Sequence, residues 1–333
     1  MTPLVPLIEA SRGATPECVH FGAVAVSDIH GHVLAHAGDP QFVTFTRSTL
    51  KALQALTFMQ AGGPRAFGFT QEQVAMMCAS HSGEAMHVRQ VDGMLHKAGV
   101  SYRKLQCGCH VPLFVELGQA AGPYDERHHN CSGKHSGFLA CCVQHGWSLE
   151  NYLAPEHPLQ QAIRRDVARA VGMAPEAMKM GIDGCSAPNY AVPLANLARG
   201  YARLASGEDD PEFGLSFAHL ADAMTAHPEL VSGTGRNDLA FMRAGRGDWI
   251  SKAGADGVQV VASRSRREAL AVKVSDGSKI AVAAAAVAAM DQLGWLDERQ
   301  RAELQPWRAE TIASIRGAPV GARRAVFALQ RAR

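Results

Sequence analysis

The sequence predicts an α+β fold, on three observations. Alternating, valine-rich segments lie near both ends of the chain. Apolar residues at helical spacing fill the middle. No repeat or low-complexity linker separates the two patterns. Residues 19–27, "VHFGAVAVS", alternate; "DIHGH" supplies a turn and "VLAHAG" a second strand, so this segment predicts a hairpin. From Ser48, "STLKALQALTFMQAG" has helical spacing, with a serine or threonine to cap its start and Gly62-Gly63 to end it. Further helices are predicted at 70–78, 86–98, 136–145, 158–171, 191–205 and 215–225. Strands return at "DGVQVVAS" (256–263) and "EALAVKVSD" (268–276). A long helix follows from Ser278 to Leu293, then a short strand at "RRAVFAL". The ends are expected to meet in one antiparallel sheet. That gives a single two-lobed unit over 1–333, with a sheet lobe at approximately 1–46 and 246–333 and a helical lobe at approximately 47–245. A pocket is expected at the seam.

Composition narrows the function classes. The 333 residues are 47% hydrophobic and 19% charged, with a formal net charge of +2 and scattered Lys and Arg. Nothing forms the basic stripe of a nucleic-acid binder. The start, "MTPLVPLIEASRG", lacks the basic and apolar regions of a signal peptide. The longest apolar run, "IAVAAAAVAAM" at 280–290, is far shorter than the roughly 20 residues of a membrane span. A cytoplasmic protein without nucleic-acid or membrane partners is expected. The eight cysteines are then expected to be reduced. "CGC" (107–109) and "CC" (141–142) have no zinc-ribbon partner at the usual spacing.

Several short segments carry chemistry. Ser48 and Lys51 form S-x-x-K at a helix start, on one face and a turn apart. A lysine there serves as base once burial and nearby cations lower its pKa. The polar knot "SHSGE" (80–84), with Ser80, His81 and Glu84, follows an apolar helix. Lys252 precedes a predicted strand beside a small-residue turn. "HHNCSGKHSGF" (128–138) holds Cys131, Lys134 and His135 at helical spacing. It is not a phosphate loop, which needs G-x-x-x-x-G-K-[ST]: His128 stands where the first glycine belongs and His135 follows the lysine. One thiolate does not hold zinc, but Cys185 in "GIDGCSAPNY" supplies a second. Two thiolates and one nitrogen ligand make an open zinc site. His129 and His135 are both available as that nitrogen, and lysine is rare because it must be neutral to bind.

Taken in order, "RSTLK" (47–51), "SHSGE" (80–84), "HNCSGKHSG" (129–137), "GIDGCSAP" (181–188), "GTGR" (233–236), "KAGADGV" (252–258) and "VKVSDG" (272–277) resemble the Rhizobium etli-type L-asparaginase family. The resemblance runs from about residue 8 to 290. It implies a fold like serine β-lactamases and penicillin-binding proteins, and hydrolysis of L-asparagine to L-aspartate and ammonia. It implies two Ser-Lys pairs, Ser48 with Lys51 and Ser80 with Lys252. It also implies zinc held by Cys131, Lys134 and Cys185 with a water, and a homodimer. The motif order matches the S-x-x-K, S-D-N and K-T-G series of penicillin-recognising enzymes. It departs from that series at His81-Ser82 after Ser80 and at Ala253-Gly254 after Lys252.

Under this resemblance Ser48 is the expected nucleophile and Lys51 its base, with Ser80 and Lys252 delivering a proton to the leaving ammonia. Arg47, His81, Glu84, Asp183 and Asp276 are the candidate substrate-contacting residues, Arg47 as partner of a substrate carboxylate. The alternatives are a penicillin-recognising hydrolase or peptidase and a zinc-stabilised binding protein. The first acts outside the cytosol, and the second requires a lost catalytic position, whereas both serines and both lysines are present.

Overall fold

The structure, a computed structural model, describes residues 3–308 and 311–332. Twelve strands are present among them: β1 (Val5–Arg12), β2 (Thr15–Asp28), β3 (Val33–Ala37), β4 (Val43–Phe45), β5 (Lys179–Ile182), β6 (Pro188–Pro193), β7 (Trp249–Gly254), β8 (Val258–Ser263), β9 (Glu268–Val274), β10 (Thr311–Ala313), β11 (Pro319–Ala325) and β12 (Gln330–Arg331). Nine form one antiparallel sheet on the path β10-β11-β1-β2-β9-β8-β7, with β3 and β12 paired alongside. The ends of the chain do meet in one sheet, as expected. The length of β2 makes this possible. Its Thr15–Gly22 stretch pairs with β1 and its Val24–Ser27 stretch with β3, while Gly22–Asp28 pairs with β9 on the other side.

Strand alternation splits the core in two. Ala23, Ala25, Val258, Val260, Ala269 and Ala271 face one apolar cluster, and Val24, Val26, Val261, Leu270 and Val272 face the other. The helix Leu194–Ser206 packs on β2, β8 and β9, and its Leu197, Tyr201 and Leu204 join the first cluster. The helix Lys279–Gln292 packs against β1, β8, β9 and β11, and its alanines and Val287 join the second. Both faces are covered by helices, so β8 is buried at all six positions. This explains its near-continuous apolar sequence.

The helices at Gln71–Met77, Ala85–Lys97, Ser132–His145, Pro158–Val171 and Gly214–Ala226 match the periodicity closely. Four features differ from the sequence reading. Lys252 does not stand before a strand but on one, β7, which pairs with β8. β1 was not anticipated; its partners β2 and β11 include one more than 300 residues away. The middle of the chain carries a second, three-stranded sheet, β4-β6-β5. The segment after Ser48 is a 3₁₀ turn (Arg47–Leu50) followed by short helical pieces, Lys51–Gln54 and Leu56–Gln60. The coil still runs through the break, because Ala55 N–H donates to Lys51 O and Met59 N–H to Ala55 O. No serine or threonine side chain caps this start. Thr46 Oγ1 donates to Tyr190 O on β6 at 2.9 Å, which ties the segment to the small sheet. Gly62, with φ of 67°, ends the helical run as expected.

Candidate active site

Ser48 stands on a strained turn. Arg47 before it has φ of 50°, a left-handed conformation that costs a non-glycine residue. The buried Asn189 holds it there: its Oδ1 accepts from Arg47 N–H at 3.0 Å, and its Nδ2 donates to Arg47 O at 3.0 Å. Below, Tyr201 Oη donates to Thr49 O at 2.6 Å. Gly254 of β7 lies against this turn; a Cβ there would stand 3.0 Å from Thr46 O. Ser48 and Ser80 line one cavity of about 340 Å3, with Asn130, Arg236, Asn237, Asp256 and Lys279 among the other walls. Among the described residues Ser48 Oγ has no hydrogen-bond partner.

The two lysines lie buried beneath. Lys51 Nζ is 2.6 Å from Ala79 O, 2.8 Å from Ser80 Oγ and 3.2 Å from Asn130 O. Its hydrogen bond therefore goes to Ser80, the serine that the resemblance paired with Lys252. Lys252 is fully buried and lies 3.4 Å from Asp238 Oδ2 and 2.9 Å from Ala253 O. Asp238 is itself buried and accepts from Ser251 Oγ at 2.7 Å, Ala253 N–H at 2.9 Å and Gln259 Nε2 at 3.1 Å. Burial lowers Lys252 to about 8; Asp238 opposes the shift, and Lys51 and Arg236 add to it.

The second cluster sits at the start of the helix Ser132–His145. Cys131 precedes that helix, and Lys134 and His135 lie in its first turn, all buried. Gly133 lets the helix approach its neighbour, since a Cβ there would meet Met76 O at 2.3 Å. Cys185 comes from the β5–β6 hairpin loop, where Ser186 takes a φ of 66°. Lys134 Nζ lies 3.2 Å from Cys185 Sγ. A hydrogen bond from Cys131 favours the Cys185 thiolate against the cost of burial, and Lys134 and His135 favour it too. Burial opposes charge on Lys134, but Cys185, Cys131 and Asp183 outweigh it and raise the amine to about 12.

His135 Nδ1 contacts Tyr152 Oη at 2.8 Å, and the buried ring also faces Cys185. His129 Nδ1 is occupied by Cys131 N–H at 3.0 Å. Among the described residues no three His, Cys, Asp or Glu side chains are arranged to hold a metal ion. The donors gathered here are two thiols and the lysine amine, with the His135 imidazole beside them. That set suits a soft, four-coordinate cation once the proton of Lys134 is displaced; without an ion, the Lys134 ammonium pairs with Cys185 instead.

The remaining candidates are placed as follows. Arg47 Nε donates to Asp183 Oδ1 at 2.9 Å, and its guanidinium also pairs with Asp256. Arg47 and Asp183 thus engage each other. His81 is fully buried; its Nδ1 accepts from Gly83 N–H at 3.1 Å and its Nε2 contacts Ser132 Oγ at 2.9 Å. Burial, then His87 and Lys51, drives its pKa well down, so the ring is neutral. Glu84 accepts from Thr234 N–H and Oγ1 at 2.9 and 2.8 Å and fixes the "GTGR" loop. Asp276 pairs with His20 at 2.6 Å and accepts from Ser278 N–H. Sequence reasoning missed Asn189, Asp238 and Arg236. The latter two adjoin or lie in the "GTGR" segment, so their position was visible but their partners were not.

Residues 8–325 match the family L-asparaginase II. The chain belongs to that family. This member of the L-asparaginase II family is accordingly an amidohydrolase. No match was found among curated proteins. A solved β-lactamase from Mycobacterium bovis aligns with 86% of this chain and 94% of its own at 14% identity, with a TM-score of 0.40. Among the described residues no helix is long and apolar enough to cross a membrane.

Proposed function

We propose that the protein hydrolyses L-asparagine to L-aspartate and ammonia by double displacement at Ser48, with Ser80 and Lys51 as its proton relay. The observation that carries this reading is the cavity shared by Ser48 and Ser80, with Lys51 Nζ 2.8 Å from Ser80 Oγ. A neutral amine has two N–H donors and one lone pair. At Lys51 the donors suit Ala79 O and Asn130 O, leaving the lone pair for the Ser80 hydroxyl proton. Ser80 in turn takes the proton of Ser48 as Ser48 Oγ attacks the side-chain amide carbon.

The Ser48 N–H and a backbone donor near Gly254 steady the oxyanion. The C–N bond breaks and nitrogen leaves as ammonia with the relayed proton. Water then cleaves the β-aspartyl ester and restores the serine. Ser80 as the nucleophile is the second reading, favoured by its direct contact with Lys51. Ammonia release from L-asparagine, with D-asparagine and L-glutamine beside it, tests the function. Strong release from L-asparagine, lost in Ser48→Ala, is expected. Release retained in Ser48→Ala moves the nucleophile to Ser80.

Cys131, Lys134 and Cys185 are the residues proposed to hold zinc. The ion would supply positive charge and cross-link the helix start to the β5–β6 loop. The same loop carries Asp183, which grips Arg47 beside the nucleophile. Homodimeric assembly belongs to the same reading and is tested by sedimentation.

A further inference from the structure

Three charged side chains line the catalytic cavity: Arg236, Asp256 and Lys279. Two are already engaged. The Asp256 carboxylate pairs with Arg47, and Lys279 Nζ lies 3.2 Å from Glu116 Oε1. Lys279 is also mostly in solvent, with 83% of its side chain exposed, so its charge is well screened. Arg236 is different. It is half-buried, and among the described residues its guanidinium has no carboxylate and no hydrogen-bond acceptor. Its charge reaches Lys252, buried beneath the cavity. A partly desolvated guanidinium left unpaired in a cavity is costly, and that cost is offset when an anion arrives.

Its backbone is fixed on both sides. Glu84 clamps Thr234 two residues before it. Two residues after it, Asp238 is locked to β7 through Ala253 N–H. The Cα of Arg236 is therefore anchored at the cavity wall before any ligand binds. Arg47, the sequence-based candidate for a substrate carboxylate, lies between Asp183 and Asp256 and is charge-compensated already.

We infer that Arg236 binds the α-carboxylate of the amino-acid amide substrate, a role resting on the asparaginase reading above. Asparagine carries one anionic group, and among the described residues Arg236 is the cation lining the serines' cavity that has no ion-pair partner. The planar fork of a guanidinium fits a carboxylate with two parallel hydrogen bonds. The cavity thus selects free amino acids over blocked or peptide-bound asparagine.

Steady-state kinetics of wild type, Arg236→Gln and Arg236→Lys test this, using L-asparagine and its α-methyl ester and scoring ammonia. The expected result for Arg236→Gln on L-asparagine is a KM raised about 10- to 100-fold with kcat within about threefold. Turnover of the ester, which lacks the anion, stays within about twofold of wild type. Arg236→Lys recovers part of the loss. An unchanged KM, or an equal loss on both substrates, overturns the assignment. If wild type releases ammonia from neither compound, the asparaginase reading fails on its own. Arg236 is then tested by calorimetric titration with L-aspartate, where binding by wild type and its loss in Arg236→Gln is expected. Equal binding by both proteins, or none by either, overturns it.

Discussion

Lys51 and Ser80, 29 positions apart, are joined by a 2.8 Å hydrogen bond between Nζ and Oγ. The carbonyls of Ala79 and Asn130 occupy the other two directions around the amine. The proposed relay depends on this amine losing and regaining a proton. Lys51→Met should therefore cut kcat about 10²- to 10⁴-fold, the usual worth of a positioned base. Lys51→Arg should not rescue it, because a guanidinium does not deprotonate in a protein. Single-turnover rates with L-asparagine check both variants.

The pH profile reports the second lysine. Burial lowers Lys252 to about 8, with Asp238 pulling the other way. Below that value Lys252 is cationic and cannot accept a proton; above it the amine is neutral and carries the lone pair a base needs. Turnover should rise with pH through an inflection near this value. Asp238→Asn removes the anion that keeps the proton on Lys252, so the inflection should move to lower pH. Rate profiles from about pH 6 to about pH 10 show whether it does. A flat or acid-optimal profile contradicts lysine as base.

Asn189 is a positioning residue. It bonds both backbone groups of Arg47 and so maintains the turn that presents Ser48. Asn189→Leu leaves a partly buried N–H and C=O of Arg47 unpaired and should cost about 1 kcal/mol of stability. It should also lower kcat about 10- to 100-fold, since the nucleophile is no longer held for attack. Thermal unfolding and kcat, measured on the same preparation, check the pair of effects.

The cysteine–lysine cluster makes a prediction of its own. Zinc bound by Cys131, Lys134 and Cys185 would order two segments and position substrate. Cys131→Ser should then raise KM more than it lowers kcat, reduce bound zinc, and lower Tm. Chelation should lower the Tm of the wild type as well. Elemental analysis and calorimetry read metal and stability independently of turnover; an unchanged KM contradicts the positioning role.

Much of this was legible in the sequence, for physical reasons that differ by segment. The helix Pro158–Val171 is amphipathic, with Pro158 in its first turn and Gly172 at its end, so periodicity and caps agreed. The motif residues were visible as uncommon side chains among small ones. The fold does gather Cys131, Lys134 and Cys185. Their roles were less legible, because a role depends on partners. Lys51 lies one turn from Ser48, yet its amine points to Ser80, since helical spacing sets a face and not a contact. Arg47 reads as a free cation until Asp183 and Asp256 are folded against it. β1 escaped because Pro6 interrupts its short apolar stretch and its pairing with β11 is long-range. β5 is four residues long, and its pattern carries too few alternations to separate it from a loop.

The most direct test of the central claim is to quench the enzyme during turnover of L-asparagine and map the adduct by mass spectrometry. The account predicts one aspartyl group, added as an ester at Ser48 and absent from Ser48→Ala. An adduct at Ser80, or hydrolysis with no acyl-enzyme at either serine under burst conditions, would contradict it.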